Sequence, residues 1–320
     1  MPFLHLCLFT LTLLSLGACD QHAPLPLLRI GTNVWPGYEP FYLAREDGLL
    51  DTGQLRLVEL ASAPDVMDAM RQGQLEGAAL TLDEVLLLTS EGLDLTVVLI
   101  CDQSLGADVV LARPEIHSVA ELAGLRIGVE TSAVGALMLQ AALASTQLTL
   151  SDITIVNLRQ NEYLDALAAG RIDAAVTFAP YSLQLLAAGA TPLFSSADIP
   201  GQIVDVLAVR TELLATRHTA LRGLVNGFLV SKQRIERGDP AALDIINRRL
   251  KLPATHIKDA YLGLTMPDQD ENLRLLAGPR SRLSRHASDL VKLMQTHHLL
   301  KPGSIPTLRT TASLVAENGP

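Results

Sequence analysis

An alternation constrains this chain more than any other feature. From Leu28 to Val209, short apolar runs take turns with amphipathic or alanine-rich segments, and from about Thr211 onward the runs disappear. Strands are predicted at Leu28–Val34, Leu55–Leu60, Gly77–Thr81, Leu95–Ile100, Ala107–Ala112, Leu125–Val129, Ile153–Leu158, Ala174–Phe178 and Ile203–Val209. Helices are predicted between them, among others at Asp65–Gln72, Leu82–Ser90, Ser132–Leu143 and Tyr163–Ala169. Such an order implies an α/β architecture in which helices cover mostly parallel sheets. The remainder reads as helix over Leu213–Ile235, Ala241–Leu250, Ile257–Leu264, Asp270–Leu276 and Leu283–His297. Pro253, Pro267 and Pro279, with Gly238, Gly263 and Gly278, punctuate it. A helical tail of this kind would return to pack on the first part of the chain.

Two stretches echo each other. GQLEGAALTLDEVLLL (Gly73–Leu88) and GRIDAAVTFAPYSLQLL (Gly170–Leu186) each run from a helix-ending glycine through an acid to a small apolar strand. Each strand ends in threonine (Thr81, Thr177) and leads into a helix. About a hundred residues separate them, which suits two similar lobes.

A net charge of −9 with no basic run argues against nucleic acid and against electrostatic adhesion to a membrane. No GxGxxG or P-loop is present, and no histidine pairs with a candidate nucleophile. Catalytic residues, cofactors and metal ligands are therefore not expected; His297 and His298 read as partners of a helix end. The first nineteen residues form an apolar run too short to span a bilayer comfortably. Their ending, Leu16-Gly17-Ala18-Cys19, resembles a bacterial lipobox. It implies a signal peptide over 1–19, lipidation (palmitate) of Cys19 and a tether over 20–27. Asp20 resembles the residue that keeps such proteins on the inner membrane. Cys101 is then the one remaining thiol, placed to be a small buried hydrophobe.

The segments VWPGYEPFYLAREDGLLD, GQLEGAALT, VVLARPEIHSVAELAGLRIGVETSAVGALML and DALAAGRIDAAVTFAPYS, in that order, resemble periplasmic solute-binding proteins of the nitrate/sulfonate/taurine type. That group includes the thiamine-precursor-binding proteins. The likeness covers roughly Arg29 to Arg210. It implies the two-lobed type II periplasmic-binding clamshell: two mixed sheets flanked by helices, with the C-terminal helices packed on lobe 1. Lobe 1 would be residues 28–111 plus 206–320, and lobe 2 residues 112–205. It further implies a monomer, lipid-anchored at the periplasmic face of the inner membrane, that hands a small solute to the transmembrane subunits of an ABC permease. A ligand-sensing subunit for a membrane signalling protein needs the same parts and is the alternative.

Ligands of open α/β sheets sit beyond the carboxyl ends of the strands, where loops enter helix N-termini. Independently of the family, that rule selects Asn33, Trp35, Tyr38 and Glu39 after the first strand. It selects Thr81, Asp83 and Glu84 after the third, and Asp102 and Ser104 after the fourth. Asp108 lies at a crossover, Glu130, Thr131 and Ser132 follow a strand of the second half, Thr177, Phe178 and Tyr181 follow another, and Asp205 lies near the return crossover. Only 4% of the chain is aromatic, yet Trp35, Tyr38, Phe41 and Tyr42 fall within one short bend. Trp35 and Tyr38 would present rigid faces to a ligand, on a loop stiffened by Pro36 and Pro40, while Phe41 and Tyr42 face the core. The charged candidates are nearly all acids. Several carboxylates beside aromatic walls suit a cationic or neutral nitrogenous solute better than the sulfonate or nitrate of the resembling proteins.

Overall fold

The computed structural model describes residues 26–131, 134–252 and 256–316. The lipobox, with Cys19 and Asp20, and Ser132 lie outside the described residues, as does most of the tether.

The first half of the fold runs β1 (Leu28–Thr32), α1 (Glu39–Glu46), β2 (Leu55–Glu59), α2 (Ala63–Arg71), β3 (Gly77–Thr81), α3 (Leu82–Ser90) and β4 (Leu95–Ser104). The chain then crosses to β5 (Val109–Ala112), β6 (Arg126–Val129), α4 (Val134–Ala144), β7 (Thr154–Asn157), α5 (Tyr163–Ala168), β8 (Ala174–Thr177), α6 (Tyr181–Ala187) and β9 (Thr191–Ser195). It returns through β10 (Val204–Arg210) into α7 (Leu213–Thr216), α8 (His218–Glu236), α9 (Pro240–Leu250), α10 (Ile257–Ala260), β11 (Leu264–Thr265), α11 (Gln269–Leu276), α12 (Arg282–Thr296) and β12 (Arg309–Thr310). Among the described residues no helix is long and apolar enough to cross a membrane.

Two mixed sheets result. One is ordered β11-β4-β10-β3-β1-β2, with β12 beside β4; the other is ordered β7-β6-β8-β5-β9. This is the two-sheet, helix-flanked architecture the sequence implied. The predicted boundaries shift in two places. Val109–Leu111, expected in the first lobe, pair with β8 and β9 of the second sheet. Val204 and Asp205, expected in the second lobe, pair with β3 and β4 of the first. Both crossing strands read as mainly apolar with one acid each, Asp108 and Asp205, so hydropathy could not say which sheet each would join. β9 was missed altogether, because Pro192 and the half-buried pattern of TPLFS mask an edge strand.

The helical tail packs on the first sheet. Its core cluster gathers β1, β3, β4 and β10 with Leu221, Leu224, Val225 and Phe228 of α8, and Leu290, Val291 and Met294 of α12. Phe41 of α1 meets Phe228 with ring centroids 4.6 Å apart. Gly227 permits that approach, since a Cβ there would stand 2.8 Å from Leu50. Cys101 is buried and free.

Candidate functional site

The loop after β1 turns sharply through Pro36-Gly37-Tyr38 into α1, Pro40 sitting in the first helical turn where its missing N–H costs nothing. The turn aims Trp35 and Tyr38 toward the ends of β4 and β10. Trp35 Nε1 donates to Asp102 Oδ2 at 3.1 Å, and the Tyr38 hydroxyl donates to Asp205. Asp102 and Asp205 are cross-strand partners, and Thr81 is the partner of Asp205 on its other side. Three adjacent strands thus end in a row of polar side chains. The Trp35 ring also meets Phe178 of the facing sheet edge-to-face, centroids 5.1 Å apart. Trp35 is consequently a wall between the sheets rather than a plug under its own loop.

A cavity lies there. Asn33, Trp35, Tyr38, Ala63, Thr81, Glu84 and Asp205 line it from the first sheet, Asp108 from the crossing segment, and Glu130, Val134 and Phe178 from the second. Its space open to the centre of a water molecule is about 20 Å³, enough for about one water. The sheets stand closed together. Glu84 reaches across to accept from Val134 N at 3.4 Å. Outside the cavity, Arg159 of the second sheet's side pairs with Asp65 of α2 at 2.9 Å. At the crossing segments, Ser104 Oγ and Ser196 Oγ are 2.7 Å apart, and Gly106 N donates to Ser196 Oγ at 2.6 Å.

Four carboxyls face this space, and none of the described lining residues is a lysine or arginine. Burial favours the neutral acid, and the one nearby base, Arg159 beside Glu130, offsets it only in part. Burial is the first cause of every shift here: Asp108 is pushed up to about 7, Glu130 to about 7 and Glu84 to about 8, the last also by Asp83. Asp205 is raised well above the ordinary carboxyl range by burial and then by Asp102. Asp108 Oδ2 is buried with no hydrogen-bond partner. An acceptor left bare in this way is costly unless a donor arrives.

Of the candidates read from the sequence, Asn33, Trp35, Tyr38, Thr81, Glu84, Asp108, Glu130, Phe178 and Asp205 line the cavity. The other described candidates do not. Glu39 turns away to Arg249 of α9, Nε to Oε2 at 2.8 Å, because the first turn of α1 points it at the tail. Arg249 also lies 3.5 Å over the Tyr42 ring. Asp102 backs the wall through Trp35, Asp83 sits buried in the first turn of α3, and Ser104 is bonded into the crossing segment. Thr131 is exposed on its turn, Thr177 is a buried strand end, and Tyr181 stands behind Phe178 with centroids 6.1 Å apart. Ala63 and Val134 carried no signal. Glu84 did carry one: it caps its own helix, accepting from Thr81 N at 3.0 Å, and the same carboxyl looks into the cavity. Among the described residues no group of His, Cys, Asp and Glu is arranged to hold a metal ion.

Residues 21–250 match the NMT1-like family. No curated protein matches the chain by sequence. Among solved structures, an alkanesulfonate-binding protein from Xanthomonas axonopodis pv. citri, bound to MOPS, superposes with a TM-score of 0.74 at 19% identity, covering 89% of this chain and 98% of its own. The periplasmic nitrate-binding protein from Synechocystis PCC 6803 gives 0.70 at 11%, covering 88% and 84%. A desulfurization enzyme gives 0.59 at 19%, covering 90% and 96%. At these identities the likeness is one of fold, which binding proteins and an enzyme share.

Proposed function

The chain belongs to the NMT1-like family, and from that premise we propose that it is a periplasmic solute-binding protein serving an ABC importer, with a small cationic nitrogenous compound as its solute. The observation that carries this reading is the cavity between the sheets, walled by Trp35, Tyr38 and Phe178 and faced by Glu84, Asp108, Glu130 and Asp205 without a basic residue. A protonated amine or guanidinium supplies the donors and the charge these carboxyls lack, and the rings add cation–π attraction. The solved binding proteins of this fold named above take sulfonate and nitrate. Here, however, the helix start that an anion would use is met by a carboxylate, since Val134 N already donates to Glu84.

Closure needs no chemistry. A solute that touches both sheets binds the closed form better and draws the population toward it. The cavity admits little more than a water molecule as it stands, so entry requires the sheets to part about the crossing segments.

Anchoring through Cys19 completes the reading: a Cys19→Ser protein is expected in the soluble fraction, and membrane retention would remove the anchor from it. The solute is tested by a thermal-shift and calorimetric comparison of amines and guanidinium salts with alkanesulfonates and nitrate, since a bound solute raises stability by mass action. Stabilisation by sulfonates alone overturns the cation. Turnover of the bound compound would make the protein an enzyme instead.

A further inference from the structure

One carboxyl pair lies partly behind the cavity wall. Asp102 of β4 and Asp205 of β10 are direct cross-strand neighbours, 0% and 2% exposed. Each has one oxygen engaged, Asp102 Oδ2 by the Trp35 indole and Asp205 Oδ1 by the Tyr38 hydroxyl. The two that remain, Asp102 Oδ1 and Asp205 Oδ2, meet no donor, and the strand register sets the two carboxyls side by side. A single proton between them satisfies both.

The surroundings leave no other remedy. The titratable groups that face the pair are Tyr38 of the entry turn, Cys101 of β4, Glu84 of α3, Asp108 of the crossing segment and Tyr261 after α10. All are acidic or neutral. Burial, and for Asp205 the neighbouring Asp102, holds both carboxyls far above their ordinary range, Asp102 at about 7. Asp102 is also held in place from below. A Cβ on Gly37 would stand 1.8 Å from its Oδ2, so the backbone is pressed against the carboxyl. Of the two, only Asp205 reaches the cavity.

We propose that Asp102 and Asp205 form a proton-exchange site, in which one proton bridges the two carboxyls in the absence of solute and is released to solvent when a cationic nitrogen reaches Asp205. This rests on the cation reading of the cavity. No covalent bond other than one O–H changes. The pair goes from one negative charge to two, the proton passes to buffer, and the solute's N–H takes its place at Asp205. Asp102 touches no solute; it is a positioning residue that sets the charge Asp205 can offer. Linkage of one proton to one solute makes affinity for the cation rise up to tenfold per pH unit below the pair's titration.

The test is calorimetric titration of the protein made from the full chain with guanidinium, methylammonium, 1,4-diaminobutane and methanesulfonate salts. Each is run at pH 7 in phosphate and in N-(2-acetamido)iminodiacetate, whose ionisation heats differ and neither of which is a net cation. Glu84, Asp108 and Glu130 titrate in the same range in both proteins, so the expected result is a difference: the unmodified protein releases about one proton more per cation bound than Asp102→Asn, whose cation affinity should rise less steeply between pH 6 and 8. Cation binding without proton release in the unmodified protein, or undiminished release in Asp102→Asn, overturns the exchange site while leaving the cation reading intact. Binding of methanesulfonate and of no cation overturns both. Carboxyl-carbon NMR of the ligand-free protein decides the matter if no probe binds or the variant does not fold. A pair still half protonated above pH 7 supports the proposal, and one fully ionised by pH 5.5 sinks it.

Discussion

The two sheets share one wiring diagram and differ in what they hang on it. In the first, the order β2-β1-β3-β10-β4 joins three parallel strands to two more through antiparallel pairings, so that β10 alone runs against the rest; in the second, β7-β6-β8-β5-β9 does the same with β5. The likeness extends to side chains at the strand beginnings. Arg29 binds Glu76 through its backbone N and its guanidinium, which also reaches Gly73 O. Arg126 binds Asp173 and Gly170 O in the same manner. At the opposite ends, beside the cavity, the sheets part company. Thr81 is flanked by Asp205 and then Asp102; Thr177 is flanked by Val109 and then Ser195. The strand beginnings hold the fold, and the strand ends are where the first sheet sets two acids side by side on paired strands, while the second brings Glu130 after β6 and Asp108 before β5.

The largest expected effect concerns those acids. Their raised folded-state values mean that the folded protein binds more protons than the unfolded chain, so stability is greatest in mild acid and falls as pH rises from about 4 through 7–8. Forcing a carboxyl such as Asp108, held near 7, to ionise costs on the order of 4 kcal/mol. Urea unfolding of the ligand-free protein at pH 5.5, 7 and 8.5 should show that decline, and a flat profile would erase the contrast between the sheets. Next in size, Asp205→Asn should weaken a bound cation about 100-fold, ~3 kcal/mol, and Glu130→Gln only about tenfold. Equal losses by calorimetry would mean that the second sheet contributes as much charge as the first.

The strand-beginning clamps sharpen the comparison from the other side. Glu76→Gln and Asp173→Asn should each destabilise by about 2 kcal/mol in denaturant titration with solute affinity unmoved. Asp173 should cost more, its side chain being 8% exposed against 21% for Glu76. An altered affinity would show that the two ends are not independent. The smallest effect is assigned to the bridge between sheets. Arg159→Gln should lose at most about 1 kcal/mol, the pair being partly exposed, and speed solute release a few-fold in stopped-flow traces of Trp35 fluorescence. An unchanged release rate would remove Arg159–Asp65 from closure.

The α/β alternation, the helical tail, the echo of Gly73–Leu88 in Gly170–Leu186 and the aromatic bend at Trp35 were all legible in the sequence. Each depends on local periodicity or on residues close along the chain, which hydrophobic burial and turn chemistry dictate directly. Several cavity residues were legible too, because strand ends before helix starts are where such sheets leave room. Their pairings were not. That Glu39 meets Arg249, that Asp102 backs the wall while Asp205 enters it, and that Glu84 reaches Val134 depend on partners 210, 103 and 50 residues apart. Strand order sets those meetings. Two mainly apolar crossing strands can join either sheet, and only the packing of the two cores against each other selects one arrangement.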